Sequence, residues 1–508
     1  LNLFVFILAL LPILWLIVAL TLFKWPTFKA AIGSLIISAI LAITYWQMPI
    51  IDMASALAEG FAMAVWPIII VIIAAVFTYN LTLRTGAMEI IKQMIASVSS
   101  DRRIIVLLIA WCFGGFMEGM AGFGTAIAIP ASMLVGLGFK PLFSCLVCLL
   151  ANGVPTPFGS IGIPTVTLAN LVGLENTSLS FMTSLQLSPF VIAAPFLIVM
   201  ATGKGPKALK GMVPLTLASG LGFIIPQLAV SYFVGAELAV VVGSVCSLLL
   251  TILFALKKKP DPQYAMQVQS KEKITLSKAI TAWSPFILIF CFLLLTSKLV
   301  APINEALSVF SSQVTIYTGP DPNLVSFSWI NTPGVWIFLS AILGGWIQKA
   351  KCKDFIQVLI ETLQQMKETM ITMLCVLACA KIMGYAGMIS DVSSFVILIT
   401  GSFYPFFAPW FGALGTFVTG SGTNSGVLFG QVQMEAAQAL QANNLWIVAL
   451  NSLGVAVGKM LSPQSLAIAL SSVDSKGQDS KLLSMVLPYG AIMIILMSIL
   501  AFVGNMIL

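Results

Sequence analysis

The sequence predicts an all-α polytopic membrane protein of two inverted repeats. Each repeat has a re-entrant hairpin and a broken transmembrane helix, and together they form a scaffold plus an elevator-like transport domain. Three observations predict it. Apolar residues make up 59% of the 508 and charged residues only 8%, against about half and about a quarter in soluble domains. The two halves share a register of punctuating residues. Polar breaks rich in Gly and Pro interrupt the apolar helical pattern twice in each half.

Apolar surface in this proportion needs lipid as its solvent. The runs 3–23, 65–77, 238–256 and 286–295, with their flanks, approach the roughly 20 residues that span a bilayer as helix. The chain opens at Leu1 rather than Met, which predicts trimming, and the many long segments exclude a cleaved signal peptide as the whole explanation. The net charge of +7 sits in loops, so no nucleic-acid partner is expected. The eight cysteines lie mostly in apolar segments, where a free Cys acts as a small hydrophobe. With no His in the chain, neither a metal centre nor a cofactor is expected, and proton chemistry falls to carboxylates.

Lys and Arg concentrate at 24–29, 84–103, 204–210, 257–278 and 349–353, which the positive-inside rule assigns to the cytoplasm. With the N-terminus outside, spans near 3–22, 27–46, 57–80, 212–232, 235–256, 279–299, 334–349 and 363–385 satisfy all five at once. Segment 257–278 becomes a cytoplasmic linker and 300–333, nearly free of positive charge, an external loop. The expected units are scaffold helices in 1–103, a first transport unit in 104–201, linking and scaffold helices in 202–402, and a second transport unit in 403–508.

One shift superposes, within a residue or two, Met88 on Met388, Trp111 on Trp410, Gly124-Thr125 on Gly422-Thr423, Asn152 on Asn451 and Pro164 on Pro463. The first copy is entered from the cytoplasmic Arg102-Arg103 and the second from outside, so the copies are inverted. The first break, 116–125, matches 415–426, and both read as hairpin tips. The second is Asn152-Gly153-Val154-Pro155-Thr156-Pro157-Phe158-Gly159, whose prolines remove donors. Its counterpart is Asn451-Ser452-Leu453-Gly454, followed by Lys459 and Pro463. Irregular backbone at membrane depth must line a cavity or be buried in protein, so four breaks predict one shared polar site. Glycines alone would read as helix packing; their interleaving with Thr, Ser, Asn and Pro at matched positions favours a site.

The run Gly122-Phe123-Gly124-Thr125-Ala126-Ile127-Ala128-Ile129-Pro130 and the segment from Asn152 to Pro164 resemble the lactate permease family. The resemblance implies a carrier of lactate, and in some members glycolate, by proton symport through a bacterial-type inner membrane. The second-half Gly-Ser-Gly-Thr-Asn-Ser segment is generic to carriers with hairpin repeats and does not choose the substrate.

Half-helices beginning near Thr125, Phe158, Thr423 and Pro463 would aim backbone N–H groups and dipoles at an anion. Substrate contacts are expected from Gly122, Gly124, Thr125, Asn152, Thr156, Ser421, Gly422, Thr423, Asn424, Ser425 and Asn451. These mostly neutral donors suit a small singly charged 2-hydroxy acid better than a tricarboxylate. Glu118 is the expected proton carrier and Lys459 its charge partner, against the alternatives of a carboxylate at a wet mouth and a snorkelling lysine. Lys381, Asp391 and Glu435 read as boundary residues, and Arg84, Arg102 and Arg103 as topology anchors. Sodium coupling, a dicarboxylate or gluconate substrate, a homodimer and, further off, an ion channel stay open. No nucleophile with a matching base suggests an enzyme.

Overall fold

Lipid offers backbone groups no water to bond, so long apolar runs must satisfy their N–H and C=O groups internally and fold as helices. The computed structural model describes residues 3–122, 124–203, 205–258, 261–266, 274–320, 322, 324–475 and 477–507. Phe123, Lys204 and much of the expected linker 257–278 lie outside the described residues. Among those described, 12 helical runs are long and apolar enough to cross a membrane, or up to 13 with one bent pair.

The chain begins with α1 (Leu3–Thr21), α2 (Thr27–Thr44), α3 (Ile50–Met63) and α4 (Ile70–Arg84), the last two joined by a π-helical turn, Ala64–Ile69. A short α5 (Ala87–Ala96) leads to the first hairpin. Its rising arm is α6 (Arg102–Val106), a π-helical segment Leu107–Phe113 and α7 (Gly114–Met120); its returning arm is α8 (Thr125–Gly136). Then come α9 (Pro141–Gly153) and α10 (Gly159–Val172), α11 (Asn176–Thr202), α12 (Val213–Phe233), α13 (Ala236–Leu256) and α14 (Leu276–Leu295). The loop expected to be external holds α15 (Ala301–Ser308) and an antiparallel pair, β1 (Ser311–Thr315) and β2 (Leu324–Ser328), with Ser311 opposite Ser328. After α16 (Pro333–Ile347), α17 (Cys352–Tyr385) and α18 (Met388–Thr400) comes the second hairpin, α19 (Tyr404–Thr419) and α20 (Gly422–Ala439). The chain closes with α21 (Asn444–Leu461), α22 (Pro463–Ser472) and α23 (Asp479–Ile507). Helix α17 starts well before the expected 363, because its polar first turns, with Asp354 and Glu361, continue the helix beyond the apolar stretch.

The expected pair of broken helices is realised differently in the two halves. In the first, α9 ends at Gly153, before Pro155 and Pro157, and the axis bends by 61°. Ser160, Ile161 and Gly162 have φ of 46°, 57° and 73°, so regular helix resumes after Gly162 rather than near Phe158. In the second, the expected interruption at Asn451-Ser452-Leu453-Gly454 is absent. Helix α21 runs unbroken to Leu461, and the chain breaks at Ser462, just before α22. No proline removes a donor inside α21. Its Gly454 instead lets the helix lie directly against the Pro409 carbonyl of α19.

The copies interlock by exchange. The returning arm α8 of the first hairpin packs on α22 of the second half, α20 packs on α10 of the first half, and α9 packs on α21. A twofold relation between copies produces this reciprocity. Helices α12 and α13 sit deep against the first hairpin: Cys112 Sγ lies 3.4 Å from Ser247 Oγ, and Phe223 covers Gly115. Helices α2, α3, α4, α14 and α16 form a second group with α17.

Arg103, expected as a topology anchor, is buried inside protein. It pairs with Asp101 at 2.7 Å, donates to the Ala208 carbonyl at 3.0 Å, and lies 3.9 Å from the Tyr264 ring centroid. It thereby fixes the 261–266 segment to the base of the first hairpin. Arg84 pairs at 2.8 Å with Glu361, and both are partly exposed, as at a boundary.

Candidate functional site

Each hairpin tip is built by a glycine with positive φ that ends or starts a helix: Gly124 before α8 and Gly420 after α19, at 86° and 68°. Thr125 Oγ1 donates to the Gly122 carbonyl at 2.7 Å, closing the first tip. At the second, Ser421 caps α20 by accepting from Asn424 N at 3.3 Å, and Ser425 Oγ donates to the Gly412 carbonyl at 2.8 Å. Thr423 and Asn424 are buried on the first turn of α20.

The break between α9 and α10 is tied to the first hairpin. Asn152 Nδ2 donates to Glu118 Oε2 at 2.7 Å, and Ser160 Oγ donates to the Ala121 carbonyl at 2.8 Å. Gly159 leaves the space that the Glu118 carboxylate fills; a Cβ there would strike Oε1. Thr156 Oγ1 returns to the Asn152 carbonyl at 2.7 Å, while its methyl group and Pro164 face Gly422 of the second tip. Lys459 Nζ donates at 3.0 Å to the Gly420 carbonyl, the acceptor end of α19. Glu118 and Lys459 are 3% and 6% exposed, so neither reaches a wet interface. Among the described residues the two form no ion pair within 4 Å; Glu118 is held by Asn152 and Lys459 by the Gly420 carbonyl.

Several polar atoms here have no partner. Both amide atoms of Asn451 are buried and unbonded, as are Asn152 Oδ1, Asn424 Oδ1 and Ser465 Oγ. A buried polar atom left so costs about 1–3 kcal/mol, so these atoms call for a ligand or ordered water. The structure thus brings together Glu118, Gly122, Asn152, Thr156, Gly422 and, through Gly420, Lys459. Asn451 lies further along α21, its carbonyl against Gly412.

A second buried polar cluster escaped the sequence reading. Lys381, expected at a boundary, is 5% exposed and pairs at 2.8 Å with Glu59, which is 0% exposed. Tyr385 donates its hydroxyl to both Glu59 oxygens, at 2.9 and 3.1 Å. The missed signal is a glutamate within an apolar run, since an intramembrane carboxylate is a functional candidate by default. Asp391 and Glu435 take bonds from Trp46 Nε1 and Ser393 Oγ, both at 2.9 Å.

Residues 5–508 match the family described as L-lactate permease. The chain is 44% identical to an L-lactate permease of Streptococcus iniae, over 87% of this chain and 93% of the relative. It is 35% identical to a glycolate permease of Escherichia coli (strain K12), over 93% and 91%. Among solved structures it is similar to MtrF of Neisseria gonorrhoeae, of a class of antimetabolite efflux pumps, with TM-score 0.50, 13% identity and 95% of each chain covered. That likeness concerns the fold alone.

Proposed function

The chain belongs to the L-lactate permease family, multi-pass permeases of the bacterial plasma membrane rather than enzymes, and on that premise we propose that it carries lactate, glycolate or a related 2-hydroxy monocarboxylate by proton symport. The observation that supports this most is the set of unpartnered amide atoms on Asn152 and Asn424 beside tips that hold no arginine, with those of Asn451 on α21 behind them. A carboxylate would take N–H groups at the starts of α8 and α20. The 2-hydroxyl would bond to an amide oxygen. Thr125, Thr156, Ser421, Thr423 and Ser425 would frame the site, and Gly122, Gly124 and Gly422 would let backbone approach the ligand.

Glu118 carries the proton in this reading. With Glu118 ionised and Lys459 charged, the empty site is neutral; with Glu118 protonated, the substrate anion balances Lys459 and the loaded site is neutral again. Moving net charge through lipid is costly, so the empty and fully loaded forms cross while half-loaded ones do not. The moving unit is 104–201 with 403–505, extended by α12 and α13, which pack into the first hairpin. The helices around α17 are the scaffold, through which two copies would dimerise.

The test is uptake of labelled lactate into proteoliposomes under separately imposed proton and sodium gradients, with counterflow to distinguish a carrier from a pore. Accumulation driven by the proton gradient alone is expected. Accumulation that follows sodium alone overturns the proton assignment, and no uptake of any 2-hydroxy monocarboxylate overturns the substrate.

A further inference from the structure

A cavity of about 930 Å³ lies between the two helix groups, away from the hairpin tips. Its walls are the turn after α3 with Trp66, the outer part of α10 from Thr167, the end of α17 with Lys381, and α20 around Gln431; β2 and the following turn to Thr332 cover it. It therefore opens on the side that the charge distribution assigns to the exterior.

The lining is chemically selective. Lys381 is its cation among the described residues, buried yet reaching the wall. Thr167 Oγ1 and Thr332 Oγ1, on side chains each 2% exposed, have no hydrogen-bond partner, and neither has Gln431 Oε1. Behind the wall, Glu59 holds Lys381 at 2.8 Å, and Tyr385 fastens Glu59. Above, Tyr317 stacks on Tyr385 with ring centroids 3.7 Å apart, and Thr318 donates to Asp52 at 2.8 Å. Burial, with the charges of Asp52 and Glu59 adding to it, raises the Tyr317 phenol above its ordinary value. Glu435, the lining acid, sits on α20 and is engaged by Ser393.

We propose that this cavity is an outer anion-binding vestibule, where the carboxylate of a small organic acid displaces Glu59 from Lys381 and is captured before it reaches the hairpin tips. The proposal rests on the monocarboxylate reading above. A buried lysine already paired is held in place at low cost to the fold; as the second carboxylate takes Lys381, Glu59 accepts a proton and keeps its bond from Tyr385, so no buried charge is left bare. Thr167 and Thr332 hydroxyls supply neutral bonds to the remaining oxygens. Glu59 and Lys381 stand on α3 and α17, in the helix group opposite the tips, so the vestibule is a station on the path rather than the transported site.

The experiment compares the full-length wild type with E59Q and with E59Q/K381M, all at matched surface expression. The single Lys381→Met change is avoided because it leaves Glu59 buried and unpaired. In E59Q, Lys381 is free for substrate, and the apparent KM for lactate should fall several-fold. In E59Q/K381M it should rise roughly tenfold or more above that of E59Q, as expected on losing a charged partner, with the maximal rate little changed. Equal KM in all three proteins overturns the vestibule and leaves the permease reading intact. If the wild type takes up no monocarboxylate, that reading fails. The vestibule is then supported by a rise in unfolding temperature with lactate or acetate that is lost in E59Q/K381M, and overturned if the rise persists.

Discussion

Asn152 donates its side-chain amide to the Glu118 carboxylate at 2.7 Å across 34 residues of chain. This bond joins the helix break of the first repeat to the wall of its hairpin. Any change in the charge of Glu118 is therefore felt at the break, and any movement of the break is felt at Glu118.

Replacing Glu118 with Gln keeps the shape and an acceptor for Asn152 but cannot exchange a proton. Glu118→Gln should retain lactate binding and counterflow while losing proton-driven accumulation. Accumulation at the wild-type level would remove Glu118 from the coupling role.

The two matched asparagines should separate stability from binding. Asn152→Ala strips a donor from a buried carboxylate and should destabilise the fold by about 1.5–3 kcal/mol. Asn451→Ala removes two atoms without partners, so it should cost the fold little. It should nevertheless weaken substrate by about 0.5–1.5 kcal/mol, the value of one neutral hydrogen bond. Thermal unfolding and equilibrium binding measure the two effects, and unchanged binding in both mutants would assign the asparagines to packing.

Gly162 and Gly173 have φ of 73° and 71°, yet they meet different surroundings. A Cβ on Gly162 would lie 2.5 Å from the Ala236 backbone, whereas nothing stands within 4 Å of one on Gly173. Gly173→Ala should cost about 1–2 kcal/mol for its left-handed backbone. Gly162→Ala adds about 1–3 kcal/mol of overpacking against α13. Equal unfolding temperatures in the two variants would mean that the α10–α13 contact yields freely.

Gln431 of α20, in the proposed moving unit, lies against Gly384 of α17, in the proposed scaffold. Cysteines at both positions, with the exposed Cys291 and Cys352 replaced, should accept a short reducible bifunctional reagent. Uptake should stop on crosslinking and return on reduction. Full uptake by the crosslinked protein would show that α17 and α20 do not move past each other.

Arg103→Ala should leave Asp101 buried without its partner and destabilise the protein by about 3–5 kcal/mol. Arg103→Lys should recover only part of this, because an ammonium cannot engage both Asp101 oxygens and stack on Tyr264 together. Recovery of the full unfolding temperature by Lys would reduce Arg103 to a point charge.

Membrane class and most of the helix inventory were legible in the sequence, because run length and apolarity are local properties and lipid leaves the backbone few alternatives. The hairpin tips were legible for a related reason: Gly124 starts α8 and Gly420 ends α19 by their own conformation. Local signals failed where the meaning of a residue depends on a neighbour distant in sequence. The Asn451-Ser452-Leu453-Gly454 segment carries the letters of a break, but its glycine serves the approach of α19, which only the packed helices reveal. Arg103 carried the charge of an anchor; beside the adjacent Asp101, its burial depends on Ala208 and Tyr264 arriving from two other segments.

The Glu59–Lys381 pair is the clearest case. Each residue read singly is an isolated charge in an apolar helix, and a charge so placed is tolerable only if another element neutralises it. The sequence by itself determined that the chain spans a membrane, folds as helices and carries paired hairpin tips. Only the packing of α3 against α17 decided that these two charges meet, since the crossing of two helices depends on the shapes of both surfaces and on no pattern within either one.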